Sequence, residues 1–263
     1  MRAMTYNIHF DDLEDISHLW NERKSWIAYL IEHYQSDLIC LQEAYAHQVN
    51  DLKILLKDYK FVDEPVDADH LDLPIDPILY NPLKFDMIET GRFFLSDTPE
   101  IYSNTWEGKY VRFVRYVKFL EKKTSKTFVF FNTHLDYYSF EARKLGVKLL
   151  KSKVLELSQE NPFIVGGDFN LFPSMHGEDV YRLLVDKKKM PIFYDSLSCA
   201  RDVQKKWGSF SGYDVGYEDF SMPDAIFVSQ NIAVDFFHIL IDQFGGKYPS
   251  DHFPILCKIQ LPN

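Results

Sequence analysis

Apolar and polar residues alternate from Met1 to Ile8, the period-two pattern of a strand with one face buried. Between Ser17 and Gln35 the period lengthens. Leu19, Trp26, Ile27, Leu30, Ile31 and Tyr34 recur at helical spacing, which predicts an amphipathic helix packed along that stripe. Residues 37–42, DLICLQ, form a short continuous apolar run, the pattern of a strand covered on both faces. A second helix is predicted over Val49–Lys57, and strands at Ile78–Tyr80, Phe85–Leu95, Val111–Glu121 and Thr127–Thr133. The helical period returns at Ser139–Leu157, with Ala142, Leu145, Leu149, Val154 and Leu157 near one face. A strand around Ile164, a helix around Asp179–Val185, and strands near Phe210, Ala225–Val228, Val234–Ile241 and Phe253–Leu261 complete the chain.

Strands and helices alternate within each half, with more strands than a single doubly wound sheet needs. Two sheets face to face with helices outside is the economical arrangement. No repeat, low-complexity tract or Pro/Ser-rich linker divides the chain, so residues 1–263 read as one domain, and 46% hydrophobic content is enough for its core. The apolar stretches fall short of the ~20 residues a membrane span needs. MRAMTYNIHF runs into a strand pattern without a signal-peptide core, and Cys40, Cys199 and Cys257 are widely spaced with no zinc pattern. A cytoplasmic protein, without stable membrane insertion and monomeric, is the expectation.

Two acidic stretches interrupt the pattern. Asp63–Asp76 (DEPVDADHLDLPID) reads as an exposed, solvated loop. Asp11–Asp15 (DDLED) precedes a helix, where carboxylates complement the dipole. The net charge of −10 argues against a protein that grips long nucleic acids along a basic face, while leaving room for a local basic groove.

The candidate chemistry sits where apolar strands stop. Met4–Tyr6 ends in Asn7, Leu38–Leu41 in Gln42–Glu43, and Phe128–Phe131 in Asn132–His134 followed by Asp136. Ile164–Val165 leads through GGDFN to Asp168 and Asn170, Asp224 opens the strand PDAIFVS, and Asp251 and His252 precede another in YPSDHFPI. Any one of these is most simply a turn or cap. Six tips of acid, amide or imidazole, none of them Lys, point to one shared cleft. Carboxylates and amide oxygens without thiols suit a hard cation such as Mg²⁺ or Mn²⁺. An Asp–His dyad with a further carboxylate suits activation of water, and Asn and His can hold phosphate oxygens, so hydrolysis of a phosphate ester fits the set.

In the order TYNIH, LQEAY, NTHLD, GGDFN, PDAIFVS and SDHFPI, the chain resembles the endonuclease/exonuclease/phosphatase (DNase I-like) superfamily over essentially its whole length. Its DPILYNPLKF, FFLSDTPE and Tyr110–Phe119 segments are similar to those of small bacterial members of unassigned substrate. The resemblance implies an α+β fold, a four-layer α/β/β/α sandwich of two packed mixed β-sheets flanked by helices. It implies a Mg²⁺- or Mn²⁺-dependent phosphoric ester hydrolase with Glu43 as principal metal ligand, supported by Asn7 and Asp251. Asp168 would orient or deprotonate water, Asn170 and His134 would bind phosphoryl oxygens, and His252, steadied by Asp224, would act as acid/base or phosphate ligand. The base stays open between Asp168 and His252. Arg112 falls where small members carry a phosphate-facing Arg; an exposed strand Arg paired with an acid is the alternative. Asp136 is placed behind His134 as its orienting partner, and His9 either lines the cleft or is an ordinary surface residue.

The substrate is left as a phosphodiester or a monoester, with nucleic acid or nucleotide among the options. The acidic DDLED loop tilts the reading away from processive duplex binding. A lipid phosphodiesterase would use exposed apolar loops, for which Trp106, Tyr110 and Phe210–Tyr217 are available, and a non-catalytic binding module on the same fold would lack Glu43, Asp168 or His252. All three are present.

Overall fold

Apolar runs too short for helices become strands of two sheets in the computed structural model, which describes residues 1–65, 73–186, 188, 193–216 and 219–262. The strands are β1 (Arg2–Asn7), β2 (Leu38–Gln42), β3 (Lys60–Val62), β4 (Ile78–Tyr80), β5 (Phe85–Phe94), β6 (Phe113–Glu121), β7 (Lys126–His134), β8 (Phe163–Asp168), β9 (Tyr194–Asp195), β10 (Asp202–Gln204), β11 (Asp224–Val228), β12 (Ala233–Ile239) and β13 (Ile255–Gln260). The helices are α1 (Trp20–His33), α2 (Ala46–Leu55), α3 (Phe140–Ser158), α4 (Gly177–Leu184) and the single turn α5 (Ser196–Cys199).

One sheet has the order β10-β12-β13-β1-β2-β4-β3 and the other β5-β6-β7-β8-β11-β9. Both are mixed. β1 and β2 run parallel at the centre of the first, and β7 and β8 at the centre of the second. Alternation along each central strand feeds two apolar layers at once. Leu38 and Cys40 of β2 and Phe128 and Phe130 of β7 meet between the sheets. Ile39 and Leu41 pack outward with Ile27 and Ile31 of α1 and Leu52 of α2. Val129 and Phe131 pack outward with Val147 and Leu150 of α3 and Val180 of α4. The result is the expected four-layer α/β/β/α sandwich, and the continuous apolar runs are the mark of double coverage.

The helix stripes differ in detail from the periodicity. On α3 the buried face carries Ala142, Arg143, Gly146, Val147, Leu150, Lys151 and Val154, while Leu145, Leu149 and Leu157 are half-buried. Lys151 lies in this face because its ammonium donates to the Leu184 carbonyl at 3.0 Å, at the C-terminus of α4, where unpaired carbonyls favour a cation. On α1, Trp26 is half-buried, stacked on Phe244, while Arg23 takes the buried position. The strand predicted near Phe210 is a single bridge to His252. The short elements β3, β9, β10 and α5 carried no periodic signal. Of the acidic stretch 63–76, residues 66–72 lie outside the described residues, as do Lys187, Lys189 and Tyr217.

Candidate functional site

The two parallel pairs end at the same end of the sandwich. Register sets Asn7 beside Gln42, one residue before Glu43, in the first sheet. In the second, His134, Asp168 and Asp224 form a row across β7, β8 and β11. The GGD sequence makes this row possible. A Cβ on Gly167 would lie 2.1 Å from the Thr133 carbonyl oxygen, and one on Gly166 would lie 3.1 Å from Cys40 Sγ of the facing sheet.

Asp168 is the point of convergence. Its Oδ1 accepts from the Asn170 main-chain N–H at 2.8 Å. Its Oδ2 accepts from Asn7 Nδ2 at 3.1 Å and lies 3.4 Å from His134 Nε2 and 3.9 Å from His252 Nε2. Asn7 Nδ2 also donates to Glu43 Oε1 at 3.2 Å, so one amide joins carboxylates that come from different sheets. Asn170, with a left-handed φ of 52°, donates its amide to the Leu135 carbonyl at 2.9 Å.

Behind this point lies a buried relay. A carboxylate only accepts, so His252 Nδ1–H donates to Asp224 Oδ2, at 2.8 Å. Ser209 Oγ donates to the same oxygen at 2.7 Å. Burial opposes a charge on His252, but the Asp224 carboxylate, with Asp251 and Asp168 adding, holds the imidazole well above its usual range. Burial has its way at His134, where the Arg112 and His252 charges reinforce it and the pKa falls well below the ordinary value. Burial, strengthened by Asp224 and opposed by His252, raises Asp168.

On the other side of Glu43 opens a cleft of about 730 Å³, lined by Glu43, Asp76, Arg112, Asn104, Lys109 and a wall of aromatic rings, among them Tyr45, Tyr102, Tyr110 and Tyr137. Arg112 precedes β6 rather than lying within it, and makes no ion pair among the described residues. Its Nε is buried without a partner. Asp76 accepts the Glu43 main-chain N–H at 2.8 Å. Burial pushes the Asp76 carboxyl up to about 7, against the pull of Arg112 and with Glu43 adding to the rise.

Three buried arginines fasten the surrounding loops by main-chain oxygens. Arg23 donates to the carbonyls of Ile8, His9, Phe10 and Pro249. Arg115 donates to those of Glu64, Ile75 and Asp76, and Arg143 to those of Asp136 and Met175.

The structure thus brings Asn7, Glu43, His134, Asp168, Asn170, Asp224 and His252 together and sets Arg112 on the adjoining wall. Asp251 lies on the neighbouring loop, where Ser250 Oγ is 2.7 Å from the Asn7 carbonyl and 3.2 Å from Asp251 Oδ1; no bond joins Asp251 to Glu43 among the described residues. Asp136 does not orient His134. Its carboxylate accepts the N–H groups of Lys109, Tyr138 and Ser139 and so clamps the loop that leads to Arg112. His9 is half-buried with Nδ1 3.0 Å from Tyr213 Oη. The sequence pattern passed over Asp76, hidden in a run of acids, and Ser209 and Ser250, whose roles exist only through packed partners.

Among the described residues one group of three acids and imidazoles, Asp168, Asp224 and His252, offers ligand atoms within 4.8 Å of one another. Asp224 Oδ2 accepts from both His252 and Ser209, which links the trio as a hydrogen-bonded relay, while Asp224 Oδ1 is buried without a partner. Glu43 and Asn7, a carboxylate and an amide joined at 3.2 Å, suit a hard divalent cation better.

A family model described as "Endonuclease/Exonuclease/phosphatase family" matches residues 4–252. The chain belongs to that family. Among solved structures, the mannosyl-6-phosphatase of Bacteroides thetaiotaomicron is similar at 28% identity and a TM-score of 0.93, over 99% of this chain and 100% of that one. The human Nocturnin catalytic domain with bound sulfate anion shares the family fold, at 20% identity and a TM-score of 0.76, over 99% and 93% of the two chains. An uncharacterized protein of Acanthamoeba polyphaga mimivirus is 27% identical over 197 residues, 66% of this chain and 72% of its own length. Family membership and the phosphatase among these relatives support a phosphoester hydrolase.

Proposed function

We propose that the protein hydrolyses phosphate esters with the help of a divalent cation, Mg²⁺ or Mn²⁺, and that its substrates are small phosphorylated molecules. The observation that carries the reading is the convergence on Asp168 Oδ2 of Asn7, His134 and His252, with Glu43 tied to the same Asn7 amide. Glu43 and Asn7 would hold the cation, with Asp251 on the adjacent loop. When bound, the ion supplies positive charge to phosphate oxygens and to the leaving group.

The remaining roles follow from charge. His252, kept protonated by Asp224, is suited to donate from Nε2 to a phosphoryl oxygen or to the departing alkoxide. That leaves Asp168, with its proton affinity raised by burial, as the group that orients and deprotonates water. His134 is neutral and presents Nε2 to the same space, and Arg112 meets the substrate's charge from the cleft wall. A cleft of about 730 Å³ with an aromatic wall is the size of a small-molecule pocket. Together with the net charge of −10 this favours a compact substrate over duplex nucleic acid, and the similar mannosyl-6-phosphatase makes hexose phosphates the first class to try. The reading takes residues 1–263 as one domain acting as a cytoplasmic monomer, in keeping with the buried thiols of Cys40 and Cys257.

The test is a panel of p-nitrophenyl phosphate, bis-p-nitrophenyl phosphate, hexose 6-phosphates, nucleotides and single-stranded DNA, with Mg²⁺ or Mn²⁺ and with EDTA. Hydrolysis of a monoester, abolished by EDTA and lowered by roughly a hundredfold or more in Asp168→Asn, is the expected result. Activity that survives EDTA rejects the metal mechanism, and a wild-type rate in Asp168→Asn moves the chemistry elsewhere.

A further inference from the structure

Glu43 sits at a left-handed φ of 60°, a conformation a non-glycine residue adopts only when its surroundings hold it there. What holds it is Asp76, whose Oδ1 accepts the Glu43 N–H at 2.8 Å. Asp76 is itself left-handed, φ 43°, and its main chain is pinned to the second sheet: its carbonyl accepts from Asn132 Nδ2 on β7 at 3.0 Å and from Arg115 Nε on β6 at 3.4 Å. Glu43, by contrast, follows β2 of the first sheet. Asp76 is therefore a brace between the sheets at the cleft floor. Arg112 lines the same cleft as Asp76, with its Nε buried and without a partner.

We propose that Asp76 is a positioning residue that couples the two halves of the site, fixing the Glu43 carboxylate through that residue's main chain and the Arg112 guanidinium through charge. The proposal rests on the hydrolase reading above. Groups that orient a metal ligand without touching the metal change metal affinity when removed, by about 10–100-fold. Asp76→Ala removes the acceptor for the Glu43 N–H. Asp76→Asn keeps an acceptor oxygen and removes only the charge. The two roles therefore separate.

Mn²⁺ binding is measured by electron paramagnetic resonance or calorimetry, without substrate, on wild type, Asp76→Ala and Asp76→Asn, with Tm recorded for each. Asp76→Ala is expected to bind Mn²⁺ at least tenfold more weakly, and Asp76→Asn to stay within roughly threefold of wild type, a difference of less than ~1 kcal/mol. The charge role is read from kcat/KM of Asp76→Asn, Arg112→Met and the double variant, whose effects are expected to depart from simple multiplication by roughly fivefold or more. Wild-type Mn²⁺ affinity in folded Asp76→Ala overturns the brace to Glu43, and multiplicative effects overturn the coupling to Arg112. Should Asp76→Ala fail to fold, Mn²⁺ binding weakened tenfold or more in folded Asp76→Asn overturns the separation of roles. A wild-type protein that neither binds Mn²⁺ nor hydrolyses an ester overturns the hydrolase reading itself, whereas binding and hydrolysis unaffected by Asp76 substitutions overturn this inference alone.

Discussion

A methyl group added at Gly167 meets the Thr133 carbonyl oxygen at 2.1 Å, and because the obstruction is main chain, β7 and β8 would have to part. The same strands carry His134 and Asp168 in register. At Gly166 the added methyl meets the Cys40 sulfur at 3.1 Å, a side chain able to shift by a few tenths of an ångström. Gly167→Ala is therefore expected to lower stability by ~3 kcal/mol or more and kcat/KM with it, and Gly166→Ala to cost ~1 kcal/mol with activity largely kept. Thermal denaturation and esterase assays on the pair check the order; equal tolerance of both methyls would show that the strands have slack. Asp168 and Asn170 stood out in the sequence because they follow an apolar run with one apolar residue between them, and His252 because it precedes one. Asp76 did not. It closes a fourteen-residue stretch that holds five other acids, and only its burial sets it apart.

Helices α1 and α2 meet through Asp51, whose Oδ2 accepts from Trp20 Nε1 at 2.9 Å and Lys24 Nζ at 3.0 Å. These partners, Lys24 first, hold the carboxyl below its ordinary range. A carboxyl more acidic in the folded state stabilises the fold above its unfolded pKa of ~3.9 and loses that contribution as the pH falls through the folded value. Asp51→Asn should therefore be less stable than wild type at pH 6, by less than ~1 kcal/mol because the pair is partly exposed, with the gap closed by pH 2. Urea denaturation at the two values measures it, and a gap that persists in acid assigns the effect to packing. Element positions were legible from periodicity; the buried faces were less so. Arg143 and Lys151 lie outside the apolar stripe that periodicity picks out, and two of their carbonyl partners, Met175 and Leu184, are distant in the chain.

Across the whole molecule, folding brings the Glu43 and Asp168 carboxylates from separate sheets onto one amide, an arrangement the unfolded chain does not have. A cation that binds there binds the folded state alone. Mn²⁺ at a hundred times its dissociation constant should stabilise the protein by ~2.7 kcal/mol and raise Tm by roughly 5–10 °C, reversibly with EDTA. A melting temperature indifferent to Mn²⁺ would refute an ordered ion at this end of the sandwich. The two-sheet architecture was legible from the surplus of strands, and the shared cleft from six polar strand ends; the aromatic wall was not, since Tyr102, Tyr110 and Tyr137 come from loops with no period to read. The loops around that cleft are fastened by Arg23, Arg115 and Arg143 mostly through peptide oxygens, a handle that every amino acid carries. The Phe10 side chain, exposed on the cleft wall, can therefore be exchanged without undoing the clasp, so a descendant of this chain can acquire a taste for a different phosphorylated compound while its scaffold stays where it is.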